Sequence, residues 1–115
     1  MIKIEQREVI IKIGALRLTG RLDLQAGPEL RNSWQQFSEH GINSVLVDLH
    51  QVEFIDSVGI SALVSGLKQM RSRGGDLKLI GLQSSARAIF ELMMLDKVFE
   101  IYNSEEEALK GILFR

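Results

Sequence analysis

The chain contains no cysteine, which excludes disulfides and thiolate metal sites and leaves cysteine usage silent about compartment. Proline occurs once, and no Ser/Gly-rich or low-complexity run offers a linker at which to divide the chain. No apolar run approaches the ~20 residues needed to span a bilayer. The N-terminus M-I-K-I-E-Q-R-E also lacks the apolar stretch of a signal peptide. Charge of neither sign dominates. The 14 Lys and Arg against 15 Asp and Glu leave a formal net charge of −1, with no general reason to bind nucleic acid or an anionic membrane directly. A single cytoplasmic domain spanning residues 1–115 is the expectation, near the commonest domain size and able to build a core.

Catalytic chemistry is equally scarce. Neither G-x-x-x-x-G-K-[ST] nor G-x-G-x-x-G occurs, so the standard phosphate-cradling loops are missing. Only His40 and His50 could act as bases near neutral pH, and both are expected at element ends facing solvent. No spacing of His, Asp and Glu suggests a metal site, and a two-component receiver would need acidic residues clustered at strand ends. The expectation is a chain that is not an enzyme and holds no cofactor or metal.

What is present is a pattern of alternating strands and helices. Residues 2–20 alternate apolar and polar, most simply as two strands joined tightly around Gly14, although one long bent strand also fits. Pro28, capped by Gly27, opens a helix on which Leu30, Trp34 and Phe37 form an apolar stripe that ends at Gly41. Trp34 belongs on that stripe and so in the core. Val45, Leu46, Val47 and Leu49 read as a strand buried on both faces. From Ile60 the period becomes helical, with Leu63, Val64, Leu67 and Met70 on one side, as far as Gly74-Gly75. Leu77–Gly81 is a further strand. Ser84 or Ser85 caps a third helix that presents Ile89, Leu92, Met93 and also Phe90 inward. Val98–Ile101 is a last short strand, and Ser104-Glu105-Glu106-Glu107 is a capping box for a fourth helix through Leu109 and Ile112. The order β-β-α-β-α-β-α-β-α predicts an α/β fold. Its mixed sheet has four or five strands, parallel in the later ones, with about four helices and right-handed crossovers.

Between the central strand and its helix lies Phe54-Ile55-Asp56-Ser57-Val58-Gly59, where a hydroxyl and a carboxylate meet a helix start. Ser57 is a natural N-cap on this pattern, and Asp56 also suits a helix N-terminus. Gly59 costs about 1 kcal/mol against alanine inside a helix, which calls for a reason. Close approach of another chain to Ser57 would supply one. Ser61, Ala62, Ser65 and Gly66 continue a face of small residues, suited either to packing on a neighbouring helix or to docking a partner.

F-I-D-S-V-G-I resembles the signature of STAS domains, particularly the bacterial anti-sigma factor antagonists. L-T-G-R-L-D at 18–23, V-D-L-x-x-V-x-F-I-D-S and G-G-D-L-K-L-I-G extend the resemblance, in order, over essentially the whole chain. The resemblance implies that Ser57 is phosphorylated by a partner that is both anti-sigma factor and serine kinase, and that a phosphatase reverses it. It implies too that the unphosphorylated form binds that partner and frees the sigma factor. Asp23 and Asp56 would flank the phosphosite, with Val58, Gly59 and Ala62 in the partner-binding surface. The chain departs from the family at Val58, where several members carry a second hydroxyl, and at Met94, in a region where many have glycine. STAS domains also serve as scaffold subunits of lipid-transport ABC complexes and as parts of anion transporters. A small hydrolase with Ser57 as nucleophile is the enzyme alternative, without a visible histidine partner.

Overall fold

The computed structural model describes residues 1–114. Strand β1 (Ile13–Leu22) is followed by α1 (Gly27–Glu39), β2 (Ser44–Ile55), α2 (Ser57–Ser72) and β3 (Leu77–Ile80). Then come α3 (Ser84–Leu92), a 3-10 turn at Leu95–Lys97, β4 (Ile101–Tyr102) and α4 (Glu105–Leu113). The strands lie in the order β1-β2-β3-β4, and every neighbouring pair is parallel. The α/β class, the four helices and the strand-helix alternation from α1 onward are as the pattern predicts.

The apolar run of β2 is explained by burial on both faces. Val45, Val47 and Leu49 join the main core with Trp34, Leu63, Met70, Phe90 and Phe99, beneath α1, α2 and α3. Leu46, between them, packs with Ile80 and Ala108 in a second cluster under α4. Trp34 is buried as expected, and its indole N–H donates to the carbonyl of Ala62 at 2.8 Å. That bond locks α1 to α2. Gly66 makes room for it, since a β-carbon there would lie 2.4 Å from the indole ring.

The N-terminal hairpin is not formed. Residues 1–12 adopt no strand, and the sheet is wholly parallel rather than mixed. Gly14 lies inside β1, opposite Val45, where a β-carbon would come 2.7 Å from the Phe37 ring. The glycine is needed for that ring and not for a turn. Alternating apolar residues dictate extended backbone, but they do not say what pairs with it.

Two further expectations shift. α3 turns Ala86 and Phe90 inward, one helical turn apart, while Ile89, Leu92 and Met93 are 41, 85 and 53% exposed. Phe90 meets Phe99 with ring centroids 5.8 Å apart, and this contact fixes the helix rotation. The last strand is Ile101–Tyr102, because the Val98 and Phe99 amides bond back to the Leu95 carbonyl at the end of the 3-10 turn while the Phe99 side chain enters the core. Met94 stands at φ 59°, the one described non-glycine residue with positive φ. Glycine takes that conformation at no steric cost, whereas an L side chain is strained there.

Candidate functional site at the carboxyl ends of β1 and β2

β1 and β2 run side by side to the pair Leu22–Ile55, so the loops that follow them emerge together. Outside the carboxyl ends of parallel strands is where open α/β sheets commonly hold their sites. Asp56 ties the two loops into one unit. Its amide donates to the Leu22 carbonyl at 3.2 Å. One carboxylate oxygen accepts from the Leu24 amide at 3.1 Å, and the other accepts from the Gly59 amide at 2.9 Å.

The N-cap of α2 is therefore Asp56, and Ser57 is the first helical residue. The extended backbone of Asp56, with ψ near 180°, points its carboxylate back over the first turn, as capping requires. Ser57 is displaced from the expected capping role and left exposed, and its hydroxyl makes no hydrogen bond to any described residue.

Asp23 lies in the adjoining loop, where its carboxylate accepts from the Gln25 amide at 3.1 Å and the Ala26 amide at 3.4 Å. Arg21 approaches that carboxylate at 3.8 Å. Both aspartates thus shape the rim around Ser57. Val58 is half buried and packs where α1 begins, since a β-carbon on Gly27 would come 3.0 Å from its methyl group.

Gly59 and Ala62 are not surface residues. Gly59 is buried against the end of β1, and a β-carbon on it would fall 2.2 Å from the Leu22 carbonyl oxygen. Its glycine is required by close approach within the chain. Ala62 is fully buried beneath Trp34. Of the small-residue face only Ser61 is fully exposed, and it accepts a hydrogen bond from Arg31 at 3.1 Å. The stripe belongs mainly to the α1–α2 contact.

Three residues that the sequence did not assign to the site, Leu24, Phe54 and Arg21, complete the surface. Leu24 is 68% exposed, and Phe54 is 40% exposed with the Arg21 guanidinium 4.0 Å above its ring. An apolar residue in the capped loop and a phenylalanine between inward-facing Val52 and Ile55 were the available signals. Exposed Leu24, and Phe54 beneath the Arg21 guanidinium, leave apolar area uncovered on this surface.

His50 and Asp48, two residues apart on β2, form a separate cluster with Arg17 of β1. The His50 ring contacts the Asp48 carboxylate at 2.7 Å. Burial pushes that carboxyl up, but hydrogen bonds from the His50 main chain and ring, with the charges of His50 and Arg17, hold it below the usual range.

Residues 1–108 match the STAS domain family. The chain belongs to the STAS family. Among its relatives is the anti-sigma-B factor antagonist of Listeria monocytogenes, 28% identical over 90 residues that cover 78% of this chain and 79% of the relative. The solution structure of the Thermotoga maritima protein TM1081 superposes with a TM-score of 0.82 at 22% identity, covering 100% of this STAS chain and 98% of that one. The phosphorylated form of the Bacillus cell-fate determinant SpoIIAA does so with a TM-score of 0.70 at 20% identity, covering 92 and 96%. These two likenesses establish the fold.

Proposed function

We propose that this STAS domain is an anti-sigma factor antagonist switched by phosphorylation of Ser57. In the unphosphorylated state it binds an anti-sigma factor that is also a serine kinase, and the sigma factor is released. The observation that carries this reading is the uncommitted, exposed Ser57 hydroxyl, freed because Asp56 performs the capping. A serine that served only as a cap would be bonded to the helix.

The surface around it suits a switch. Leu24, Phe54 and Arg21 offer apolar and cationic contact area beside the acceptor. A phosphate would add about −1.5 to −2 charges at pH 7. At the first turn of α2 that charge is locally favourable, because free amides and the helix dipole both attract it. In a docked interface it would stand beside the carboxylates of Asp56 and Asp23 without such compensation, and affinity would fall. The nucleotide and Mg²⁺ belong to the kinase, and a separate phosphatase resets the switch.

The test is incubation with the cognate anti-sigma kinase and ATP, followed by peptide mass spectrometry and calorimetric titration. Phosphate on Ser57, its loss in Ser57→Ala with binding retained, and weaker binding after phosphorylation are expected. Phosphate mainly on Ser61 or Ser65 would overturn the assignment. Co-purification with membrane ABC subunits instead of a sigma regulator would favour a scaffold.

A further inference from the structure

One cation beside the junction lies outside the switch described above. α1 and α2 run side by side from the same edge of the sheet, with successive contacts Gly27–Val58, Arg31–Ser61, Trp34–Ala62 and Ser38–Gln69. Arg31 thus reaches α2 one turn below its start. Its Nη2 donates to the Ser61 hydroxyl at 3.1 Å, and both residues are exposed.

A serine hydroxyl is a poor match for that group. A guanidinium carries a permanent charge, and its fork of donors fits carboxylate and phosphate oxygens. Arg17, Arg21 and Arg71 each face a carboxylate, on Asp48, Asp23 and Asp76. Arg31 forms no ion pair among the described residues. Its partner Ser61 is four residues after Ser57 on the same helix, a spacing that sets the two β-carbons about 5–6 Å apart. Helical side chains tilt toward the N-terminus, so the Ser61 hydroxyl and the guanidinium on it lean over the turn that carries Ser57.

We infer that Arg31 receives the phosphate within the chain: once Ser57 is phosphorylated, the guanidinium leaves the Ser61 hydroxyl and clamps the phosphate across the α1–α2 edge. The inference rests on Ser57 as the acceptor and adds what holds the modified state. The exchange trades a neutral acceptor for a group of about −1.5 to −2 charges with three acceptor oxygens. Charge-assisted hydrogen bonds of that kind are roughly twice as strong as neutral ones. An arginine side chain makes the move by rotation alone, with both helices fixed.

The neighbouring charges leave Arg31 to this task. Arg21 is engaged by Asp23 at 3.8 Å and by the Phe54 ring at 4.0 Å. The Asp56 carboxylate is occupied by the Leu24 and Gly59 amides, and that of Asp23 by the Gln25 and Ala26 amides. Glu29, on α1, lines a cleft with Thr19 and Arg21 of β1. Lys68, the next charged residue along α2, is two turns beyond Ser61. Held by Arg31, the phosphate has a fixed place over the contact surface, and the modified state is favoured before any partner is met.

The test uses the full chain with phosphoserine encoded at position 57, so that no kinase is needed, and follows its phosphorus NMR signal with pH. The second ionisation should fall below its ordinary value of about 6. The helix dipole acts alike on every variant, so the contrast between variants isolates Arg31. Arg31→Gln should raise the phosphate pKa by about half a pH unit or more, because an opposite charge within ~4–6 Å is lost. Arg31→Lys should keep part of the effect, and ~1 M salt should shrink it. Phosphoserine should also raise the melting temperature more with Arg31 present than after Arg31→Gln. A phosphate that titrates alike in both chains, or a melting gain independent of Arg31, would overturn the clamp. Incubating the unaltered chain with the anti-sigma kinase separates this from the switch itself. Modification of Ser57 without any Arg31 effect removes the clamp and keeps the switch. A kinase that ignores Ser57, while the encoded phosphoserine shows the shift, removes the switch and supports the pairing.

Discussion

Asp56 is the residue on which the junction turns. It caps α2 and also holds the β1–α1 loop through Leu24, so one carboxylate performs two structural tasks. Losing a cap alone typically costs ~1 kcal/mol, up to ~2. Asp56→Ala should therefore lower the urea midpoint clearly more than Ser57→Ala, which removes no bond. Gly59→Ala should be destabilising too, since its methyl would collide with the Leu22 carbonyl. Met94 invites the opposite change. It is exposed and at positive φ, so Met94→Gly should raise stability, by about 1 kcal/mol if most of the left-handed strain is relieved. Chemical denaturation would read both effects, and no gain for Met94→Gly would mean that the turn relaxes without cost. Asp48 has a pH signature. Its folded carboxyl titrates below the ordinary value of 3.8, so its contribution is present above that value and fades as pH falls through the folded pKa. Asp48→Asn should thus be destabilising near neutral pH, and the difference from the unaltered chain should shrink below pH 3.8.

Among the elements, α1 and α2 depend on one fit. Trp34 fills the space that Gly66 leaves and bonds the Ala62 carbonyl from it. Overpacking a filled core typically costs 1–3 kcal/mol, while the change from glycine to alanine returns about 1 kcal/mol of helix propensity. Gly66→Ala should consequently be net destabilising and red-shift the Trp34 emission from a buried maximum. Emission at the solvated maximum in the unaltered chain would contradict the packing. β2 shows the same logic in a strand. Leu46 faces one layer while Val45, Val47 and Leu49 face the other, so a polar substitution at any of the four leaves a buried group without water.

For the whole molecule, the site is a consequence of parallel topology. Adjacent parallel strands end at one edge of the sheet, bringing Asp23 and Leu24 beside Asp56 and Ser57, which are more than 30 residues away in the chain. If that edge is the contact surface, Ser57→Asp should weaken partner binding in calorimetric titration. Its melting temperature should barely move, because an added carboxylate at the first turn of a helix is favourable. Unchanged affinity with the fold intact would mean that the partner docks elsewhere. A bulky side chain at Gly59 would act on the fold rather than on the contact surface, since even a β-carbon there meets the Leu22 carbonyl.

The local pattern of residues by itself determined the α/β alternation, the burial of Trp34 and the central strand, and the placement of a serine at a strand-to-helix junction. Those features follow from periodicity and from residue types with fixed backbone preferences, which act over a few neighbours. Tertiary structure decided which of Asp56 and Ser57 is the cap, because the choice depended on an amide in the β1–α1 loop that the Asp56 carboxylate also serves. It decided that Gly59 and Ala62 face inward, because their neighbours are Leu22 and Trp34 from other elements. It also left the apolar alternation of residues 2–12 outside the sheet of the single chain. Alternation specifies a strand's two faces, whereas its hydrogen-bonding partner is a separate segment that no local pattern names.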